Sequence, residues 1–137
     1  MPPIPRLPSA ADRLKPCPRT PNCVATGPGG RPDQRMEPIP YRDPSAARAR
    51  LRAILRELPR TRVVEDDLDR SGYLHAEVCS ALLRFVDDVE FAFDDGAGRL
   101  CFRSASRLGR SDFGVNRRRM EAIRRAFEAE AAGTAAR

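Results

Sequence analysis

Tryptophan is absent, tyrosine occurs twice and histidine once, and Lys15 is the only lysine among 25 basic residues. Single-stranded nucleic acid is held on aromatic platforms beside positive charge. None is interleaved with the arginines here, so a net charge of +6 argues no nucleic-acid partner. Arginine is specifically required only at forked or stacked contacts, so its chain-wide use reads as coding composition. No apolar run reaches the length of a membrane span. No charged segment followed by an apolar stretch opens the chain. Together these absences predict a cytoplasmic protein with no membrane segment.

Four cysteines are present: Cys17, Cys23, Cys79 and Cys101. Their spacing is not that of a zinc site, and with His75 as the sole histidine no metal and no cofactor is expected. A reducing compartment argues against disulfides. Cys17 and Cys23, in a short proline-stiffened loop, would bond under oxidising conditions and otherwise form free thiols or a redox pair. Cys79 and Cys101 read as ordinary small residues.

What is present is 137 residues, 41% hydrophobic and 32% charged, enough for one modest core. Residues 1–12 read as a disordered tail, 13–132 as one domain and 133–137 as a frayed end. Asp43 is an N-cap, Pro44 suits a first helical turn, and Ala47, Leu51, Ile54, Leu55 and Leu58 form one stripe up to Pro59. Strands follow at Thr61–Glu65 and Tyr73–Phe85. In the second, Leu74, Ala76 and Val78 share one face, and Tyr73, His75, Glu77 and Cys79 the other. Val86–Asp88 reads as a turn, and Val89–Asp94 as a strand.

Asp95-Gly96-Ala97-Gly98 predicts a four-residue hairpin that sets Asp94 opposite Arg99, Phe91 opposite Phe102 and Glu90 opposite Arg103. Ser104–Val115 reads as a polar loop, and Asn116 as the N-cap of a last helix striped by Met120, Ile123 and Phe127. The expected fold is α+β: an antiparallel sheet of about four strands with both helices on one face, preceded by a long Pro/Gly-rich segment. That segment, from Cys17 to Tyr41, is long enough to cross the opposite face.

Four stretches together resemble domain-of-unknown-function family 1499. They are Cys17-Pro18-x-x-Pro21-Asn22-Cys23-Val24; Tyr73-Leu74-His75-Ala76-Glu77; Arg84-Phe85-Val86-Asp87-Asp88-Val89-Glu90-Phe91; and Arg103-Ser104-Ala105-Ser106-Arg107-x-Gly109-x-Ser111-Asp112-x-Gly114-x-Asn116-Arg117. The resemblance covers about Cys17 to Phe127. It implies a bacterial and plant domain with no established activity, many of whose members carry an export, transit or anchoring segment. Members often show a histidine shortly before the Pro38 position. Here that stretch is Asp33-Gln34-Arg35-Met36-Glu37, so any chemistry resting on that histidine is absent.

The last stretch is the richest in chemistry. Arg103, Ser104, Ser106, Arg107, Ser111, Asn116 and Arg117 lead into a helix start, where free N–H groups and the dipole favour an anion. Arginine forks would hold a phosphate or carboxylate. The expected ligand is a small anion or an acidic protein segment, and the expected state a monomer or weak dimer. The plainer reading pairs these arginines internally with Asp87, Asp88, Glu90 and Asp112. A second functional reading makes His75 and Glu77 acid–base groups of an enzyme acting on a small anion. A third is a purely structural interaction domain.

Overall fold

A computed structural model describes residues 2, 9–81, 85–108 and 114–135. Six strands make one antiparallel sheet: β1 (Cys23–Ala25), β2 (Ile39–Pro40), β3 (Thr61–Asp67), β4 (Tyr73–Cys79), β5 (Val86–Asp94) and β6 (Arg99–Ser106). Their order is β1-β6-β5-β4-β3, with β2 also on β6. The helices are α1 (Pro44–Glu57) and α2 (Val115–Ala135).

The expected class holds, but two strands are added and several ends move. β1 and β2 come from the Pro/Gly-rich segment, which pairs with β6 instead of running free. Three residues of β1 and two of β2 leave no periodicity to read. The predicted turn at Val86–Asp88 is the start of β5, and β4 stops at Cys79 instead of reaching Phe85. Asp87 and Asp88 look like turn residues only until their partners are seen: each lies on a different sheet face with its own arginine. β6 runs on to Ser106, so the polar loop begins later than expected.

The hairpin register is as predicted, with Asp94 opposite Arg99, Phe91 opposite Phe102 and Glu90 opposite Arg103. Gly98 closes it at φ 65°, the left-handed region where a Cβ is costly. A clasp holds its tip. Arg48 forks onto Asp95 at 2.9 and 3.1 Å, Tyr41 donates its hydroxyl to Asp95, and Arg48 lies over the Phe93 ring.

Strand alternation builds the core. Leu74 and Ala76 of β4, Val89, Phe91 and Phe93 of β5, and Leu100 and Phe102 of β6 face one way. Ala47, Leu51 and Leu55 of α1 meet them, as do Met120, Ile123 and Phe127 of α2. Asp43 caps α1 as expected, accepting from the Ser45 N–H. Both helices thus lie on one face. Residues 10–12, read as the end of a tail, belong to a 3-10 turn over Ala10–Arg13. Its Ala10 is buried against Tyr73 and Ala92 on the opposite face.

Phe91 and Phe102 are fully buried cross-strand partners. Phe91→Ala should lower the unfolding free energy by about 3–5 kcal/mol, since the cavity it leaves cannot fully collapse. Val63→Ala, at an exposed edge, should stay within about 0.5 kcal/mol. Urea titrations followed by circular dichroism check both.

Candidate functional site

Alternation along β6 divides the stretch that the sequence presents as one site. Ser104 and Ser106 point to the helix side, opposite Val89 and Asp87; Arg103 and Arg107 point to the other side. Asn116 and Arg117 belong to the first half of this division, not the second. Ser111 and Asp112 lie outside the described residues.

On the helix side the groups satisfy each other. Ser104 donates to Asn116 Oδ1 at 2.6 Å. Arg119 donates to Ser104 Oγ at 3.1 Å, to Asn116 Oδ1 at 2.8 Å and to Asp87 Oδ2 at 2.6 Å. Asn116 Nδ2 donates to Ser106 Oγ at 3.0 Å and to the Asn22 carbonyl at 3.2 Å. Asn116 and Ser104 are fully buried, and the Asp87 and Arg119 side chains are 4% and 9% exposed. Asn116 is therefore not the N-cap. α2 begins one residue earlier, and Asn116 spends its amide on the sheet. Arg117 donates to the backbone carbonyls of Asp33 and Arg35, and Arg124 to that of Glu37. This half of the stretch pins α2 to β6 and to the N-terminal segment.

That segment is itself tied down. Cys17 and Cys23 form a disulfide across a Cα–Cα distance of 5.7 Å, one of the states that their spacing allows. Both are buried against Ala25 and Ala105. Gln34 organises the loop: its Nε2 donates to the carbonyls of Pro18, Thr20 and Cys23, and its Oε1 accepts from the Arg31 N–H. Gly29, at φ 109°, passes so close to Pro16 that a Cβ would lie 2.4 Å from the ring. Cys79 and Cys101 lie two strands apart and are not joined in a disulfide.

The other sheet face collects the acid–base candidates. Glu77 and Asp88 are cross-strand neighbours, as are His75 and Glu90, and Glu90 and Arg103. Arg107 forks onto Asp88 with two 2.8 Å bonds and reaches Glu77 at 3.0 Å; Arg62 takes the second Glu77 oxygen at 3.1 Å. His75 Nε2 lies 2.8 Å from Asp88 Oδ1. The Arg107 fork, aided by His75 and opposed by burial, holds the Asp88 carboxyl below its usual range. Arg62 and then Arg107 do the same for Glu77. An ionised Asp88 only accepts, so Nε2 carries the proton and, in the neutral imidazole, Nδ1 is the basic nitrogen.

Tyr73 donates to Glu90 Oε2 at 2.6 Å, and burial followed by that carboxylate pushes the phenol up. Arg103 is the exception to all this pairing. Its Nη1 stands 3.7 Å from Glu90 Oε1, an ion pair beyond hydrogen-bonding distance, and its Nε is buried with no acceptor.

So the structure joins His75, Glu77, Asp88 and Arg107 on one face, with Glu90 and Arg103 adjoining. It separates from them Ser104, Ser106, Asn116, Arg117 and Asp87. Arg119, which the sequence did not single out, is Asp87's buried partner. Its signal was spacing: Asn116 sits one turn before Met120 on the buried stripe, and Arg119 is three residues on from it. Among the described residues no group of three or more His, Cys, Asp or Glu is placed to hold a metal ion. A cavity of about 980 Å³ lies elsewhere, between the 3-10 turn, the Arg70–Ser71 turn and the β5–β6 hairpin.

An antiparallel sheet with both helices on one face and a charged, half-buried cluster on the other defines an α+β domain. The chain belongs to the family described as Protein of unknown function (DUF1499), which it matches over residues 13–127. No curated protein and no solved structure matches it. Among the described residues no helix is long and apolar enough to cross a membrane.

Two predictions follow from this pairing. Asp87→Ala leaves Arg119 charged and buried alone, and should cost about 3–5 kcal/mol in denaturant titrations; Asp87→Leu with Arg119→Met should recover most of it. Asp88, whose folded pKa lies below its ordinary 3.8, adds stability that is complete above that value and is lost as pH falls through the lower folded one. Stability measured against pH should therefore be level above about pH 5 and fall below about pH 4, with a shallower acid limb in Asp88→Asn.

Proposed function

We propose that this domain is a binding module, and that its recognition surface is the polar sheet face around Arg103, not the polar stretch before α2. The observation that carries the reading is the unmet guanidinium of Arg103. Arg107 already donates to Asp88 and Glu77, and Arg117 to backbone carbonyls. Among the described residues the buried Nε of Arg103 meets no acceptor, and its side chain is 15% exposed. A desolvated donor left unmade is expensive, so an acceptor oxygen brought to it gains more than one brought to a solvated arginine. The ligand is a carboxylate or phosphate group, small or on an acidic protein segment. The closed Cys17–Cys23 loop supports an oxidising compartment for the domain, against the cytoplasmic expectation.

The His75–Asp88 contact favours a second reading. A carboxylate that fixes the imidazole tautomer is how a general base is oriented. In that case Arg103 would hold an anionic substrate beside His75 on the same face.

Thermal-shift titration with inorganic phosphate, sulfate, acetate and an acidic peptide separates these. A ligand at about a hundred times its dissociation constant should raise Tm by about 5–10 °C. The shift should vanish in Arg103→Gln and persist in Arg117→Gln, which loses only a loop contact. Persistence in His75→Gln favours a binding module. No shift with any probe in the wild type rejects the anion site.

A further inference from the structure

Among the described residues the sheet has one long edge with no partner strand. β3 ends the strand order, and its residues Arg62 to Asp66 are all exposed. Val63 and Val64 are 44% and 45% exposed at its centre. Edges of this kind are ordinarily protected by charge or by a bulge. β3 has both, but their arrangement is unusual. Arg60-Thr61-Arg62 is basic, Val63-Val64 apolar, and Glu65-Asp66-Asp67 acidic.

The bulge decides which side chains share a face. Val63 is opposite Ala76 and Glu65 is opposite His75, consecutive β4 residues, so Val64 is the extra residue. Val63 lies on the helix side with Ala76. Glu65 lies on the polar side with His75, so its neighbour Val64 is again on the helix side. The faces from Thr61 to Asp66 therefore read the same in both directions about the Val63–Val64 midpoint. A regular strand lacks this property, because alternation would place Val63 and Val64 on opposite sides.

We propose that β3 is a self-complementary interface for a second copy of this chain, the two strands pairing antiparallel about an axis between Val63 and Val64. In that register Val63 meets the second copy's Val64, Arg62 meets Glu65 and Thr61 meets Asp66. Each pair falls on one face of the joined sheet, and Arg62 meets a carboxylate. The present in-chain partners do not close the edge. Arg62 reaches Glu77 with its side chain 72% exposed, and Glu65 reaches Arg13 with both about half exposed. Such surface pairs are weak and exchange easily. One strand from each copy is a small interface, so the dimer is concentration-dependent.

Sedimentation velocity of the full chain from micromolar to millimolar concentration tests this. The wild type should pass from monomer to dimer. Arg62→Glu and Glu65→Arg, each alone, set like charges across the axis twice and should raise the dissociation constant at least about tenfold. Mixed one to one, they should form a heterodimer of wild-type affinity, because each altered charge again meets its opposite. That recovery cannot come from misfolded chains. Val64→Lys should weaken the dimer with unchanged circular dichroism. A wild type that stays monomeric throughout makes the charges an edge guard and overturns the proposal. So does a dimer that both single variants retain, or a mixture that fails to recover.

Discussion

β6 is the constraint on which the rest of the domain depends. It pairs with β5 on one side and with β1 and β2 on the other, so the strands of the N-terminal segment join the sheet through it. Because side chains alternate, β6 must serve two surfaces at once. Leu100, Phe102, Ser104 and Ser106 serve the helix side; Cys101, Arg103, Ala105 and Arg107 serve the other. The chemistry-rich stretch is therefore two sites that share a backbone.

The helix-side half works through Asp87 and Arg119. A buried ion pair by itself adds little stability, because desolvation offsets attraction. Here Arg119 is also tied into hydrogen bonds that need a particular arrangement. Arg119 meets Asp87 while it also spans Ser104 and Asn116, and Asn116 Nδ2 also donates to the Asn22 carbonyl. The pair acts as a register device: it sets where α2 begins against β6 and where the disulfide loop stops. Arg117 and Arg124 extend the same function along the helix by holding the 33–37 backbone.

What the sequence disclosed follows from where patterns are strong. The α1 stripe, its Asp43 cap, the two faces of β4 and the hairpin register were legible, because each rests on period or on turn chemistry over several residues. β1 and β2 were not, since short strands paired at a distance have no period of their own. The Asp87-Asp88 start of β5 was misread because adjacent aspartates resemble a turn; only their separate partners, Arg119 and Arg107, show why they are extended. Arg107, Asp88, His75 and Glu77 were each legible as chemistry. Their meeting depended on the β4–β5 register, which no local signal contains. Gln34 and Arg119 were missed for the same reason: their bonds run to backbone and side chains far along the chain.

The polar face then has a simple charge balance. Glu77, Asp88 and Glu90 form a continuous block of carboxylates on β4 and β5, and like charges set side by side across strands destabilise a sheet. Arg62, Arg103 and Arg107 ring that block, one cation for each anion. For two of the carboxylates the neutralisation is made by hydrogen bonds at 2.8–3.1 Å. For Glu90 it is not: its close bond comes from the Tyr73 hydroxyl, and Arg103 stands off at 3.7 Å. Tyr73 occupies the Glu90 oxygen that a fork like that of Arg107 would need. Tyr73 therefore leaves Arg103 neutralised in charge but not in hydrogen bonding.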